Sequence, residues 1–228
     1  MNRTVSFSIL CLIMLSGDLD AQDWASLGKF KGANAELPAP APGENRVVFI
    51  GNSIIQSWAQ YFPAMFPGKP YINRGISGQT TPQILVRFRQ DVVALKPKVV
   101  VILAGTNDIA GNTGPSTVEM IADNIASMVD IAKSNGIRVV LASVLPAERY
   151  VWRPDIQPAQ IIVALNAWMK DYARRQRIVY LDYHSAMSNE RSGLRGDLSG
   201  DGVHPNEPGY RVMLPLTEGA IREALRSR

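Results

Sequence analysis

Cysteine is almost absent from this 228-residue chain: Cys11 is the only one, and it sits inside an apolar run near the N-terminus. Removal of that run by processing leaves no thiol, so disulfides, thiol catalysis and cysteine-based metal sites are excluded together. Histidine is scarce too, with His184 and His204 as the only two. Dense Lys/Arg blocks are missing despite a formal net charge of +4. The cluster Arg174-Arg175-Gln176-Arg177 ends a helical pattern, where cations favour the helix dipole; it reads as a solvated helix end and not as a nucleic-acid patch. Two catalytic signatures are lacking as well. There is no Gly-x-Ser-x-Gly elbow, and the glycine-containing stretch Gly75 to Thr81 (GISGQTT) has no lysine to cradle phosphate.

What is present is enough apolar material for a large core. The hydrophobic fraction is 46%, which argues against disorder, and the length suits one medium α/β domain. The first residues stand apart. Met1-Asn2-Arg3 is a short cationic start, Val5 to Leu15 is an apolar run, and Ser16 to Ala21 is small and polar. This pattern predicts a secretory signal peptide over 1–21, with a secreted or periplasmic mature protein. The run is too short for a comfortable transmembrane helix, so stable membrane insertion is not expected after cleavage. Residues 1–21 carry Arg3, Asp18 and Asp20, which leaves +5 on the remainder.

Residues 22–44 read as a short helix followed by a connector. Trp24, Leu27 and Phe30 recur at helical spacing, and Pro38-Ala39-Pro40-Ala41-Pro42-Gly43 is stiff and extended. The main domain is expected over 45–228. Five apolar stretches read as strands: Arg46 to Ile50, Tyr71 to Asn73, Val99 to Leu103, Val139 to Val144 and Ile178 to Leu181. Their hydrophobicity is continuous where it is strongest, as in parallel strands covered on both faces. Helical patterns fill the gaps. Thr81-Pro82 opens one, a Ser116/Glu119 capping box opens another that Gly136 ends, and Ile161, Leu165, Trp168 and Tyr172 mark a third. The last carries Pro215, where a kink or split is expected. The alternation predicts a doubly wound α/β sheet with its ligand site at the carboxyl ends of the strands.

Four short blocks carry the chemistry: Gly51-Asn52-Ser53-Ile54, Asn73 to Gly78 (NRGISG), Gly105-Thr106-Asn107-Asp108, and Asp201-Gly202-Val203-His204-Pro205. The first three follow strands. Ser53 stands where a helix begins, either as a nucleophile favoured by the positive helix end or as an ordinary N-cap. The Asp201/His204 pair favours the first reading, because a serine needs a base and the base needs an orienting acceptor. Asp201 and His204 lie three residues apart in one turn-rich loop, and Pro205 restricts His204 to extended backbone. His184, two residues after Asp182, is the rival base. Asn107 supplies an uncharged amide donor and Gly75 a main-chain N–H, both suited to an oxyanion. Together these are the parts for acyl transfer through a covalent intermediate.

From about Asn45 to the C-terminus, the four ordered blocks resemble the SGNH hydrolases, also called GDSL-type lipases and esterases. The resemblance implies a flavodoxin-like three-layer α/β/α sandwich with a five-stranded parallel sheet. It implies Ser53 as nucleophile, His204 as base and Asp201 as its partner, with the oxyanion held by Ser53, Gly75 and Asn107. It implies no metal and no organic cofactor. One departure stands out: the family's first block usually reads Gly-Asp-Ser, and here the middle residue is Asn52.

The function expected from the resemblance is a serine esterase acting on short acyl esters, acetyl above all, carried by carbohydrates or small molecules. A lysophospholipase or thioesterase activity of the same triad is the near alternative, and a non-catalytic glycan-binding module on the same fold is the distant one. The loop Tyr150-Val151-Trp152-Arg153-Pro154 follows the fourth strand. There Trp152 is expected to stack on a sugar ring and Arg153 to meet an anionic or polar substrate group, against the alternative of a structural loop.

Overall fold

The computed structural model describes residues 23–226; the leader expected over 1–21 lies outside them. Five strands, β1 (Val47–Gly51), β2 (Tyr71–Gly75), β3 (Val99–Leu103), β4 (Arg138–Ala142) and β5 (Val179–Leu181), form one sheet in the order β2-β1-β3-β4-β5. Every pairing is parallel, and the register sets Gly51 beside both Gly75 and Leu103. This is the flavodoxin-like order, with a switch point between β1 and β3. The chain is a three-layer α/β/α sandwich.

The apolar runs explain the layers. All five residues of β1 are buried, yet they serve two cores. Val48 and Ile50 pack with Val100 and Ile102 on one face of the sheet, while Val47 and Phe49 pack with Val99 and Val101 on the other. A strand covered on one side alone would alternate with polar residues; these do not.

The helices are α1 (Lys31–Glu36), α2 (Ser53–Trp58), α3 (Phe62–Met65), α4 (Thr81–Asp91), α5 (Thr106–Ile109), α6 (Val118–Ser134), α7 (Pro158–Gln176), α8 (Tyr183–Met187) and α9 (Glu207–Arg226). One face is closed by α4, α6 and α7 through Ile84, Phe88, Ile125, Met128, Leu165 and Met169. The other is closed by α2, α3, α8 and α9 through Ile55, Trp58, Met65, Met187, Met213 and Ile221.

Several boundaries differ from the sequence reading. The caps of α4 and α6 each sit one residue from the expected one. Thr80, not Thr81, caps α4 in a capping box with Gln83, and Thr117, not Ser116, caps α6 by accepting from the Met120 N–H. Both sites hold two adjacent hydroxyl residues, either of which satisfies a cap pattern. Trp24 to Phe30 form turns, and the helix follows them as α1. The final helix runs as one element with Pro215 inside it. No helix among the described residues is long and apolar enough to cross a membrane.

Candidate active site

The four blocks meet at the carboxyl edge of the sheet. Asn52 caps α2 by accepting the Ile54 N–H at 3.0 Å, which leaves Ser53 as the first helical residue with its hydroxyl half-exposed. Ser53 Oγ lies 2.9 Å from His204 Nε2, across 151 residues of chain. His204 Nδ1 in turn lies 2.7 Å from Asp201 Oδ2.

The loop that carries the imidazole is largely self-built. Asp201 Oδ1 accepts the main-chain N–H groups of Val203 at 2.9 Å and His204 at 2.8 Å. Ser199 Oγ donates to the His204 carbonyl and accepts the Gly202 N–H. Burial acts to raise the Asp201 pKa, but the His204 N–H, the His204 ring and the Val203 N–H outweigh it and hold the carboxyl down at about 2. The imidazole therefore faces a carboxylate, not a carboxylic acid, over the whole working pH range.

His184 is not brought to Ser53. Its Nδ1 faces Ser188 Oγ at 3.3 Å, and Asp182 is spent capping α8 at the Ser185 N–H and hydroxyl. Burial lowers the His184 pKa against the opposing charge of Asp182.

Gly75 requires a correction. Its N–H, expected to face an oxyanion, donates to Asn73 Oδ1 at 2.9 Å. That is an Asx-type bond to the residue two ahead, a habit of asparagine in turns. Gly75 is buried, and a Cβ there would lie 2.2 Å from Gln56 N, so its glycine serves the close approach of α2 to β2. Three residues on, Gly78 is exposed with φ +77°, and its N–H donates to no described residue. The loop holding it is pinned beside α2, where the Ile76 N–H donates to Gly51 O and the Ser77 N–H to Gln56 Oε1.

Asn107 arrives on α5, after Gly105 at φ +119°. Its Nδ2 donates one hydrogen to Gln79 O at 2.9 Å and keeps the other. The neighbouring Asn112 ties the same two loops together through Gly78 O. The loops after β2 and β3 are thus tied to each other, and the loop after β2 is tied to the end of β1 at Gly51. The Ser53 N–H, at the first helical position, has no intrahelical acceptor.

Beside Asn107, Asp108 is buried and takes three bonds from Thr81, two from its N–H and one from its hydroxyl. Burial, partly offset by Thr81, raises its pKa to about 6. The folded chain then keeps a proton that the unfolded chain loses near 3.8. This contribution to stability is full below the unfolded pKa and is lost as pH rises through about 6. Asp108→Asn is expected to flatten that part of the stability profile, as thermal melts between pH 4 and 7 will show.

Trp152 stacks on buried Tyr150 with ring centroids 5.0 Å apart, and its own centroid lies 6.4 Å from that of His204. It remains 42% exposed beside the imidazole. Arg153 makes its described bonds within the protein. Its guanidinium is committed to Asp155, through Nε at 3.0 Å and the second amino group at 2.8 Å, and to the Ala110 carbonyl. It fastens the Trp152 loop to the end of α5. Among the described residues no group of three or more His, Cys, Asp or Glu is placed to hold a metal ion.

Residues 49–212 match the GDSL-like lipase/acylhydrolase family. A provisionally assigned acylhydrolase of Bacteroides fragilis has a solved structure 48% identical in sequence, with a TM-score of 0.87, covering 90% of this chain and 100% of its own. A GDSL-like lipase of Bacteroides thetaiotaomicron is 44% identical, with a TM-score of 0.85 over 88% of this chain and 98% of its own. An acetylxylan esterase of Xylanibacter ruminicola is 27% identical over 82% of this chain. The match spans 45% of that esterase, so the chain accounts for under half the length of this curated relative.

Proposed function

Because the chain belongs to the GDSL-like lipase/acylhydrolase family, we propose that it is a serine esterase that removes short acyl groups, acetyl above all, from carbohydrates. The observation that carries the chemistry is the unbroken line from the Ser53 hydroxyl through His204 to the Asp201 carboxylate. Ser53 Oγ attacks the ester carbonyl as His204 Nε2 takes its proton. Asp201 holds the tautomer with hydrogen on Nδ1, so that Nε2 is free to accept. The oxyanion is met by the Ser53 N–H, the Gly78 N–H and the unspent hydrogen of Asn107; Gly75 has no part in it. His204 then protonates the leaving alkoxide, and water repeats the sequence on the acyl-enzyme.

The acetylated-carbohydrate reading draws on the acetylxylan esterase relative and on Trp152, an exposed aromatic face next to the base. A sugar ring laid on that indole brings its acetyl group toward Ser53. Export, through the leader at 1–21, suits a polymeric substrate outside the cell.

Acetate release from acetylated xylo-oligosaccharides, compared with hydrolysis of long-chain acyl, lysophospholipid and thioester substrates, tests this reading. Faster turnover of the long-chain substrates replaces it with the lipid alternative. Trp152→Ala is expected to raise KM for the acetylated oligosaccharide roughly three- to tenfold, in line with the worth of one aromatic stack. It should barely change KM for 4-nitrophenyl acetate, which has no sugar. Equal effects on both substrates count against the platform.

A further inference from the structure

The segment before the family match is bound to the core by side-chain amides. Gln79 Nε2 donates to Ala25 O at 2.8 Å, Gln83 Nε2 to Trp24 O at 2.6 Å and Gln90 Nε2 to Leu27 O at 2.7 Å. Asn34 of α1 donates to Asp91 Oδ1 at 2.7 Å and accepts from Arg74 Nε at 2.8 Å. The Arg74 guanidinium also lies 4.7 Å from the centre of the Phe30 ring. Residues 24–34 thus form a strap along α4 and the loop ahead of it.

One of these anchors reaches the site. Gln79 is buried, and both ends of its side-chain amide are spent: Nε2 on the strap, Oε1 on Arg87 Nε at 2.5 Å. Its main-chain carbonyl accepts Asn107 Nδ2, and its neighbour is Gly78. Arg87 is itself fully buried, paired with Asp91 at 3.0 Å, and donates to Gly51 O, two residues before Ser53. The strap is therefore two hydrogen bonds from Asn107 and three from the start of the nucleophile turn.

We propose that residues 24–34 position the oxyanion donors, acting through Gln79. The inference rests on the reading of Asn107 and Gly78 as those donors. The unspent hydrogen of Asn107 points where its partner hydrogen allows, and that partner is fixed on Gln79 O. If Gln79 shifts, the amide of Asn107 turns with it and the adjoining Gly78 peptide moves. Gln79 touches no substrate; it is a positioning residue. Donors of this kind work by being aimed before the charge develops, and a displacement of about 1 Å can cost up to ~100-fold in rate.

The test uses the full chain and two variants. Gln79→Glu keeps the length of the side chain and its acceptor for Arg87, but loses the N–H that holds Ala25. Gln90→Ala combined with Phe30→Ala strips two strap anchors, the bond to Leu27 O and the ring under Arg74, and touches no group of the site. The measurements are kcat and KM on 4-nitrophenyl acetate and affinity for a boronic acid that mimics the tetrahedral intermediate, all well below each variant's measured melting temperature. Gln79→Glu is expected to lose roughly tenfold in kcat and in boronate affinity, with KM within about twofold. The double variant should move the same two quantities in the same direction, by a few-fold. Unchanged kcat and boronate affinity in either variant overturns the proposal, whatever happens to the melting temperature, and reduces the strap to scaffolding. Fluorophosphonate labelling of the unaltered chain separates the two failures. Labelled Ser53 with unaffected variants sinks the strap alone, and an unlabelled Ser53 sinks the acyl-enzyme reading and the strap together.

Discussion

Ser53→Ala should lower kcat/KM by on the order of 10⁴ to 10⁶ and abolish labelling by a fluorophosphonate, while the melting temperature barely moves. The size follows from the absence of a substitute. The hydroxyl facing His204 Nε2 is that of Ser53, and its removal leaves the base with nothing to activate but water. The small effect on stability follows from the cap. α2 is closed by Asn52, whose Oδ1 takes the Ile54 N–H, so the serine hydroxyl is not needed to start the helix. Alanine is a good helix former at the position it would occupy. Kinetics, intact-mass labelling and a thermal melt on the same preparation check all three statements. Retained esterase activity removes Ser53 from the mechanism.

Asp201→Asn is expected to cost about 10⁴ in kcat, with the fold intact. The reason lies in the two oxygens of Asp201. Oδ1 accepts two main-chain N–H groups, from Val203 and His204, while Oδ2 faces the ring. An asparagine must place its oxygen where those two donors converge. Its amino group then faces Nδ1 and donates to it. The imidazole answers with the opposite tautomer, carrying hydrogen on Nε2, and presents Ser53 with a donor where it needs an acceptor. The loop itself survives, because its main-chain bonds and those of Ser199 remain. A pH-rate profile and a structure of the variant check this. Near-normal kcat means that Asp201 does not set the tautomer.

Much of this arrangement can be read from the chain before folding, and the reasons differ by part. The strands were legible because both faces are buried, so runs such as Val99 to Leu103 are apolar without interruption. Helix starts were legible only to within a residue, since Thr80-Thr81 and Ser116-Thr117 each offer two hydroxyls to one N–H. The Asp201/His204 contact is local, so spacing alone suggests it. The hydrogen bond made by the Gly75 N–H is not legible in the motif. It turns on where the Asn73 side chain spends its oxygen, a contact two residues long that motif reading passes over. The contacts of Arg153 are hidden in the sequence for a different reason. Its partners are Asp155, two residues away, and a carbonyl 43 residues back, and the latter appears only once α5 has packed beside the loop. The strap was invisible, because glutamines bonding to main-chain carbonyls leave no pattern of their own.

Ser53 and His204 meet from parts of the chain 151 residues apart, and an aromatic spans the join. Tyr210, at the head of α9, donates its hydroxyl to Ile54 O at 2.8 Å and stacks on Trp58 with centroids 5.2 Å apart. Ile54 and Trp58 belong to the short helix that starts at Ser53, and Tyr61, whose ring lies 5.4 Å from that of Tyr210, follows directly. The Asp201–His204 contact lies within the C-terminal loop, whereas the Ser53–His204 contact lies across the join that Tyr210 spans. With Ser53 and His204 in the proposed roles, turnover is expected to fall when the last helix is unseated, even while the sheet still stands.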